Sequence, residues 1–245
     1  MAPPASPMAP RPWALMPSLR ASGPRQMALD HWMLEQVTRG NGPGALLRFY
    51  RWDKPCISLG HHQSSLGSTT DLPVVRRPTG GAAVLHGGDL CYAIALAHPP
   101  GGPRATYGLI SQWLQRGFER LGNPLRPGTA GQDRQLINCF ASGTAADLLG
   151  TKGEKRVGSA QLWRRGMLLQ HGSIQLIPDP GLWRMLFGQE APPALAPGDA
   201  IEAELRAEAQ AWLFGTQPEE LPLPAITSGN DATLWAIGAK AMPIG

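Results

Sequence analysis

The sequence predicts an α+β fold in which a mostly antiparallel sheet is flanked by helices. Two observations predict it. Segments of helical and strand-like periodicity follow one another as helix, strands, helix, strands, helices, rather than as alternating strand–helix–strand units. Within each group of strands the connections are short and rich in Gly, Pro or Asp, as antiparallel neighbours require.

Residues 1–25 read as a flexible, proline-rich leader, because seven of the chain's 25 prolines fall by position 24 and no acidic residue precedes Asp30. Each proline removes a backbone donor and breaks a helix. From 27 to 37, Leu29, Trp32, Met33 and Val37 recur at the spacing of one buried helical face, and Gly40, Gly42, Pro43 and Gly44 end that helix. Strand-like runs follow at 46–50, 56–59 and 74–77. Residues 82–86 and 90–97, separated by Gly87-Gly88, read as a hairpin.

The clearest helix spans 105–121, where Leu109, Ile110, Trp113, Leu114, Gly117, Phe118 and Leu121 line one face. Runs at 136–140, 145–149, 156–160 and 167–176 predict further strands, and 180–187 a short helix. Asp199 and the following Glu202 have the spacing of a capping arrangement that opens a helix reaching residue 214. Pro218, Pro222 and Pro224 then mark a loop.

Composition excludes several classes. Hydrophobic residues make up 42% of the chain, enough for a core, so it is not wholly disordered. No apolar run approaches the roughly 18 residues of a membrane span. The net charge is +4, but Arg11, Arg20 and Arg25 lie in the leader, and no basic run with interleaved aromatics exists for nucleic acid. Cys56, Cys91 and Cys139 are odd in number and far apart, with neither disulfide nor metal-ligand spacing. Free thiols point to a reducing compartment, and the chain is expected to be cytoplasmic.

Four segments could carry chemistry. Arg76-Arg77-Pro-Thr-Gly80-Gly81 precedes a short strand ending at His86; adjacent glycines let a backbone approach a ligand, although a plain turn has the same pattern. Lys155 stands before a Gly158-Ser159-Ala160 turn in a chain with four lysines against eighteen arginines; an ammonium there suits a polarised carbonyl, and a solvated turn lysine reads the same. Cys139-Phe140 is a core cysteine unless a cation or base lowers its pKa. His171-Gly172 interrupts a strand-like run, as happens where a ligand comes close, or where a histidine is simply buried.

In this order the segments resemble the catalytic domain of the lipoate-protein ligase A and octanoyltransferase superfamily. Its R-R-x-x-G-G-x-A-V-x-H signature reads Arg76-Arg77-Pro-Thr-Gly80-Gly81-Ala-Ala83-Val84-Leu-His86. Its K-x-x-G-S-A turn reads Lys155-Arg-Val-Gly158-Ser159-Ala160, and its H-G-[ST] element His171-Gly172-Ser173. The resemblance covers about residues 26–190 and implies one catalytic domain over 26–245 with a short C-terminal helical extension. Cys139-Phe140 before the motif lysine, and His86-Gly-Gly-Asp89-Leu90-Cys91-Tyr92, resemble the ligase-like octanoyl transferase branch. Ala82 stands where typical ligases have Gly, and Gly87 where many have Asp.

The resemblance implies acyl transfer from octanoyl-acyl carrier protein to a lysine of a lipoyl-domain protein, without a cofactor. Cys139 would carry the acyl group as a thioester, and Lys155 would favour the thiolate and polarise the carbonyl. Arg77, Gly80, Gly81, His86, Gly158, Ser159, Ala160, His171 and Gly172 would line the substrate site. The alternative is an ATP- and Mg-dependent lipoate ligase working through lipoyl-adenylate. A third reading is a relative that binds acyl groups without turnover. Biotin ligase is disfavoured because a G-R-G-R loop is absent.

Overall fold

The structure, a computed structural model, describes residues 6–8, 11–64, 70–128, 147–195 and 198–225. Its elements are β1 (Trp13–Leu15), β2 (Leu19–Ala21), α1 (Gly23–Arg39), β3 (Ala45–Trp52), β4 (Cys56–Leu59), β5 (Val74–Arg76), β6 (Val84–His86), β7 (Asp89–Ala97), α2 (Gly102–Arg120) and β8 (Arg126–Pro127). There follow β9 (Leu148–Leu149), β10 (Lys155–Arg164), β11 (Met167–Gln175), α3 (Pro180–Phe187), α4 (Gly198–Glu208) and β12 (Glu219–Glu220). A π-helical turn at Ala209–Leu213 continues α4.

Among the described residues the strands form two sheets. The larger runs β12-β1-β3-β7-β11-β10-β9-β8 with β2 also on β3, and the smaller runs β5-β4-β6. Pairing is antiparallel except for β1 with β3 and β12, β2 with β3, and β4 with β5. The expected α+β fold with a mostly antiparallel sheet holds.

The central strand β7 explains the layering. Leu90, Tyr92, Ile94 and Leu96 face a core shared with Trp113 and Phe118 of α2 and Leu205 of α4. Cys91, Ala93 and Ala95 face a second core under Leu29, Met33 and Val37 of α1. Covered on both faces, β7 is an uninterrupted apolar run rather than an alternating one. A third cluster packs the small sheet against Trp183 and Leu186 of α3, whose start is capped by the Asp179 side chain accepting from Leu182 N.

Three expectations change. The leader is not flexible where it is described: β1 and β2 pair with β3, and Met8, Trp13 and Met16 are buried. Its prolines bracket the strand instead of interrupting it, and the Pro12 carbonyl still accepts from Gly44 N at 3.1 Å. Residues 82–86 and 90–97 are not a hairpin, because β6 pairs with β4 and β7 with β3 and β11. Gly87-Gly88 carries the chain from the small sheet to the large one. Ile177 O lies 1.9 Å from where a Gly88 side chain would begin, and Ile177 N donates to Gly88 O at 2.7 Å, so that crossing demands glycine. The loop expected after Pro218 contains β12, parallel to β1. The strand expected at 136–140 lies outside the described residues.

Candidate active site

The crossing at Gly87-Gly88 places the small sheet over the α1-side face of the large one. A narrow cavity of about 50 Å³ lies between them. Met27, Tyr50, Trp52 and Cys91 line it from the large sheet and α1, and Ser58, Val84 and His86 from the small sheet. Arg77, Gly80, Gly81, Gly158, Ser159, Ala160, His171 and Gly172 complete the wall with Ser173. Thus nine positions singled out in three separate segments of sequence converge on one hollow.

The glycine loop is held by its own arginine. Arg77 donates to the carbonyls of Gly80 (3.0 Å), Ala82 (2.6 Å) and Ser58 (2.8 Å), wrapping the loop around its guanidinium. The Gly81 carbonyl passes 1.8 Å from where a Gly60 side chain would begin, so Gly60 is what lets the loop approach β4. At Gly80, by contrast, an added Cβ meets nothing within 4 Å.

Two chains of carboxylate, imidazole and hydroxyl cross the cavity wall. In the first, His171 Nδ1 lies 2.7 Å from Asp30 Oδ2, and His171 Nε2 lies 2.6 Å from Thr79 Oγ1. A carboxylate at Nδ1 fixes the proton there, so Nε2 accepts from the Thr79 hydroxyl and ties the glycine loop to β11. Asp30 also pairs with Arg48 at 2.5 Å, and Arg48 donates to Gln26 Oε1 and Gln26 O, each at 2.7 Å. Burial acts to raise the Asp30 pKa, but the Arg48 charge and the His171 and Arg48 hydrogen bonds outweigh it and hold the carboxyl below its ordinary range.

In the second chain, His86 Nδ1 lies 2.6 Å from Asp89 Oδ2 and Nε2 2.8 Å from Ser58 Oγ. Asp89 accepts further from Ser173 Oγ (2.6 Å), Cys91 Sγ (3.1 Å) and Gly87 N (3.1 Å). Burial again acts to raise its pKa, and the His86 charge with the His86, Ser173 and Cys91 hydrogen bonds brings it below the usual carboxylate range. The Trp52 ring stacks on His86 at 4.0 Å between centroids.

Cys91 is a thiol on this cavity, yet its surroundings are wrong for a nucleophile. Burial and the adjacent Asp89 charge push its pKa well above the ordinary thiol value, and it spends its proton on Asp89. Cys56 is likewise pushed up to about 12, by burial and then by Asp53.

Cys139 lies outside the described residues. Lys155 is buried at the start of β10, with Nζ 2.8 Å from Asp147 Oδ1, and is not among the residues lining the cavity. The two ends flanking residues 129–146 are held together, since Gly128 N donates to Asp147 O at 2.8 Å and β8 pairs with β9. The described residues Gly128 and Asp147, at either end of that stretch of sequence, are therefore held close to the Lys155 ion pair.

Sequence reasoning missed the roles of Asp30, Arg48, Ser58, Thr79 and Trp52. Only Asp30 left a signal, as a charged residue next to the buried stripe of α1.

The family model of the lipoyl protein ligase A/B catalytic domain matches residues 22–189, more than half of the chain. The chain belongs to this family. Similar relatives are the octanoyltransferase LipM of Symbiobacterium thermophilum, 38% identical over 74% of this chain and 72% of its own, and that of Kyrpidia tusciae, 36% identical over 69% and 67%. Among solved structures, protein Ta0514 of T. acidophilum with bound lipoic acid superposes with a TM-score of 0.74 at 18% identity, covering 91% of this chain and 92% of that one. Lipoate-protein ligase A bound with ATP gives 0.68 at 20% identity, covering 93% and 94%. At such identities these structures support the lipoyl ligase fold. The family's glycine signature, lysine turn and H-G-S element are thus the three segments that meet around the cavity.

Proposed function

We propose that this chain is an octanoyltransferase of protein lipoylation, moving an octanoyl group to a lysine of a lipoyl-domain protein through a thioester on Cys139. The observation that carries this reading is its identity of 36–38% to octanoyltransferases over about seven-tenths of both chains. The ligase reading rests on fold likeness near 20% identity. The donor is octanoyl-acyl carrier protein, and residues 26–245, joined by the N-terminal strands, act as one catalytic unit.

Cys139 as thiolate attacks the donor thioester, expelling the carrier thiolate, which takes a proton from solvent. The neutral acceptor amine then attacks the acyl-enzyme, and the C–S bond breaks to release the Cys139 thiolate while the nitrogen gives up a proton to solvent, leaving an amide. Lys155 would supply the positive charge that favours the Cys139 thiolate, and Asp147 holds its ammonium at 2.8 Å. A positioned donor at such a carbonyl contributes about 2.7–4 kcal/mol.

Six methylenes and a methyl, at about 0.8 kcal/mol each, offer about 5.6 kcal/mol of binding if buried. Yet the cavity, at about 50 Å³, has room for roughly three to five water-sized groups, at about 10–15 Å³ each. Acyl binding therefore widens the hollow or threads the chain out past its mouth.

The test supplies octanoyl-acyl carrier protein and an apo lipoyl domain without ATP. Octanoylated lipoyl domain is expected, together with an octanoyl adduct on the enzyme that Cys139→Ala abolishes. Product that needs ATP and free lipoate, with Cys139→Ala harmless, would establish the ligase instead. An enzyme that gains no acyl mass and modifies no partner would be the binding-only relative.

A further inference from the structure

Three side chains able to ligate a metal meet where the chain crosses between the sheets. His86 ends β6, and Asp89 and Cys91 lie at the start of β7, so the crossing at Gly87-Gly88 folds the histidine back over the other two. All three residues are buried, and one ligand atom of each lies within 4.8 Å of the others. Cysteine spacing could not show this group, because its three donors are of three different types.

The hydrogen bonds crowd onto one atom. His86 Nδ1 (2.6 Å), Ser173 Oγ (2.6 Å) and Cys91 Sγ (3.1 Å) all reach Asp89 Oδ2, and a carboxylate oxygen offers about two lone-pair sites. Three donors therefore converge where two are fully served. Charge distinguishes the group from the other imidazole on the wall. Asp30, beside His171, is already neutralised by Arg48, whereas the ion-pair partner of Asp89 is His86. A divalent cation held by the Asp89 carboxylate and a Cys91 thiolate leaves no net charge buried there.

Each donor is also steadied from behind. Ser58 Oγ lies 2.8 Å from His86 Nε2, Gly87 N donates to Asp89 Oδ1 at 3.1 Å, and Trp52 Nε1 donates to Cys91 Sγ at 3.3 Å. Outer partners of this kind fix the tautomer and orientation of metal ligands.

We infer that His86 Nδ1, Asp89 Oδ2 and Cys91 Sγ form a binding site for a thiophilic divalent cation of the zinc class, entered from the cavity that His86, Cys91 and Ser173 line. One imidazole, one carboxylate and one thiolate suit zinc, whereas magnesium and calcium take oxygen ligands. Ligand atoms around a four-coordinate zinc lie about 3.4–3.6 Å apart, given its bond lengths. Cys91 Sγ and His86 Nδ1, 3.8 Å apart, are close to that span. The two distances to Asp89 Oδ2 are shorter because a hydrogen occupies each, and the carboxylate draws back by about 0.5–0.8 Å when the ion replaces them.

The protons balance. The Cys91 thiol gives its proton to solvent as the metal–sulfur bond forms. The His86 hydrogen leaves Nδ1, and Nε2 carries one instead, donated to Ser58 Oγ. One proton is released for each ion bound. The fourth position faces the cavity and takes water. The site stands whether the chain is a transferase or a ligase.

The test titrates the reduced, full-length protein with Co²⁺ and then with Zn²⁺. One equivalent of Co²⁺ is expected to produce a thiolate-to-cobalt charge-transfer band that Zn²⁺ bleaches, and about one proton per ion is expected in weakly buffered solution. X-ray absorption of the zinc form is expected to show one sulfur at about 2.3 Å and nitrogen or oxygen at about 2.0–2.2 Å. Cys91→Ser is expected to abolish the band. Asp89→Asn and His86→Gln keep the thiol and are expected to weaken zinc by more than the roughly 10–100-fold that loss of an outer partner costs; they decide the matter if Cys91→Ser does not fold. Cys56→Ser, Cys139→Ser and the double variant His61→Ala/His62→Ala are expected to keep the band.

Absence of a charge-transfer band in the parent, a band that persists in folded Cys91→Ser, or zinc bound through nitrogen and oxygen alone would overturn the assignment. So would unchanged zinc affinity in Asp89→Asn and His86→Gln, or a band that follows Cys56, Cys139 or the exposed His61-His62 pair in place of Cys91.

Discussion

Asp30→Asn tests the buried pair that supports His171. Asp30 is 0% and Arg48 1% exposed, and Asp30 accepts from both Nε and Nη2 of Arg48 as well as from His171. Asparagine keeps the shape and removes the charge. Arg48 then retains only neutral partners, namely Gln26 Oε1, Gln26 O and the Tyr50 ring 4.0 Å from its guanidinium carbon. Breaking a buried pair from one side costs about 3–5 kcal/mol, because the remaining charge is neither solvated nor matched.

For a chain of this size 1 kcal/mol moves the thermal midpoint by about 2–4 °C, so a fall of about 6–20 °C is expected. Urea unfolding followed by circular dichroism measures the same loss as a lower midpoint at unchanged slope. Adding Arg48→Met removes the orphaned charge and is expected to return at least about 1 kcal/mol of it. A cost below about 1 kcal/mol for Asp30→Asn, or strict additivity in the double variant, would refute the account of Arg48 as a charge that depends on Asp30.

Three further outcomes follow from the same geometry. Gly80→Val is expected to fold normally, since a Cβ there meets nothing within 4 Å, and to lower octanoyl transfer about 10–50-fold by displacing two or three methylenes; transfer unchanged in a steady-state assay would remove Gly80 from the acyl path. In native protein at pH 7.5, iodoacetamide is expected to label neither Cys56 nor Cys91, whose thiols are raised by burial first and then by neighbouring carboxylates; peptide mapping that finds Cys91 modified as fast as Cys139 would contradict this. Asp30 and Asp89 are both held below the ordinary carboxyl value, so their stabilisation is fully present above about pH 4 and is lost as pH falls through the folded values. A urea midpoint that declines below pH 4, with a shallower decline in Asp30→Asn, is the expected record; identical slopes would remove Asp30 from the acid response.

Much of the architecture was legible from pattern alone. The apolar stripes of α1 and α2 are local signals, readable over one or two turns. The nine cavity positions came instead from the family resemblance, because by pattern alone a glycine pair reads equally as a plain turn and a strand-interrupting histidine as a buried side chain. Proline counting failed in the leader: it scores what the residue forbids along the chain, whereas β1 needs only three residues between Pro12 and Pro17 and a partner in β3.

The sequence by itself determined which faces are apolar, which residue types could do acyl chemistry, and the family to which the chain belongs. Only the tertiary structure decided that Gly87-Gly88 joins two sheets instead of closing a hairpin, and that Asp30 and His171, 141 positions apart, are hydrogen-bonded. Periodicity reports the side of an element that is buried and not what it is buried against. Whether a carboxylate meets an arginine or an imidazole is a long-range fact, and here it separates Asp30, paired with both Arg48 and His171, from Asp89, paired with His86.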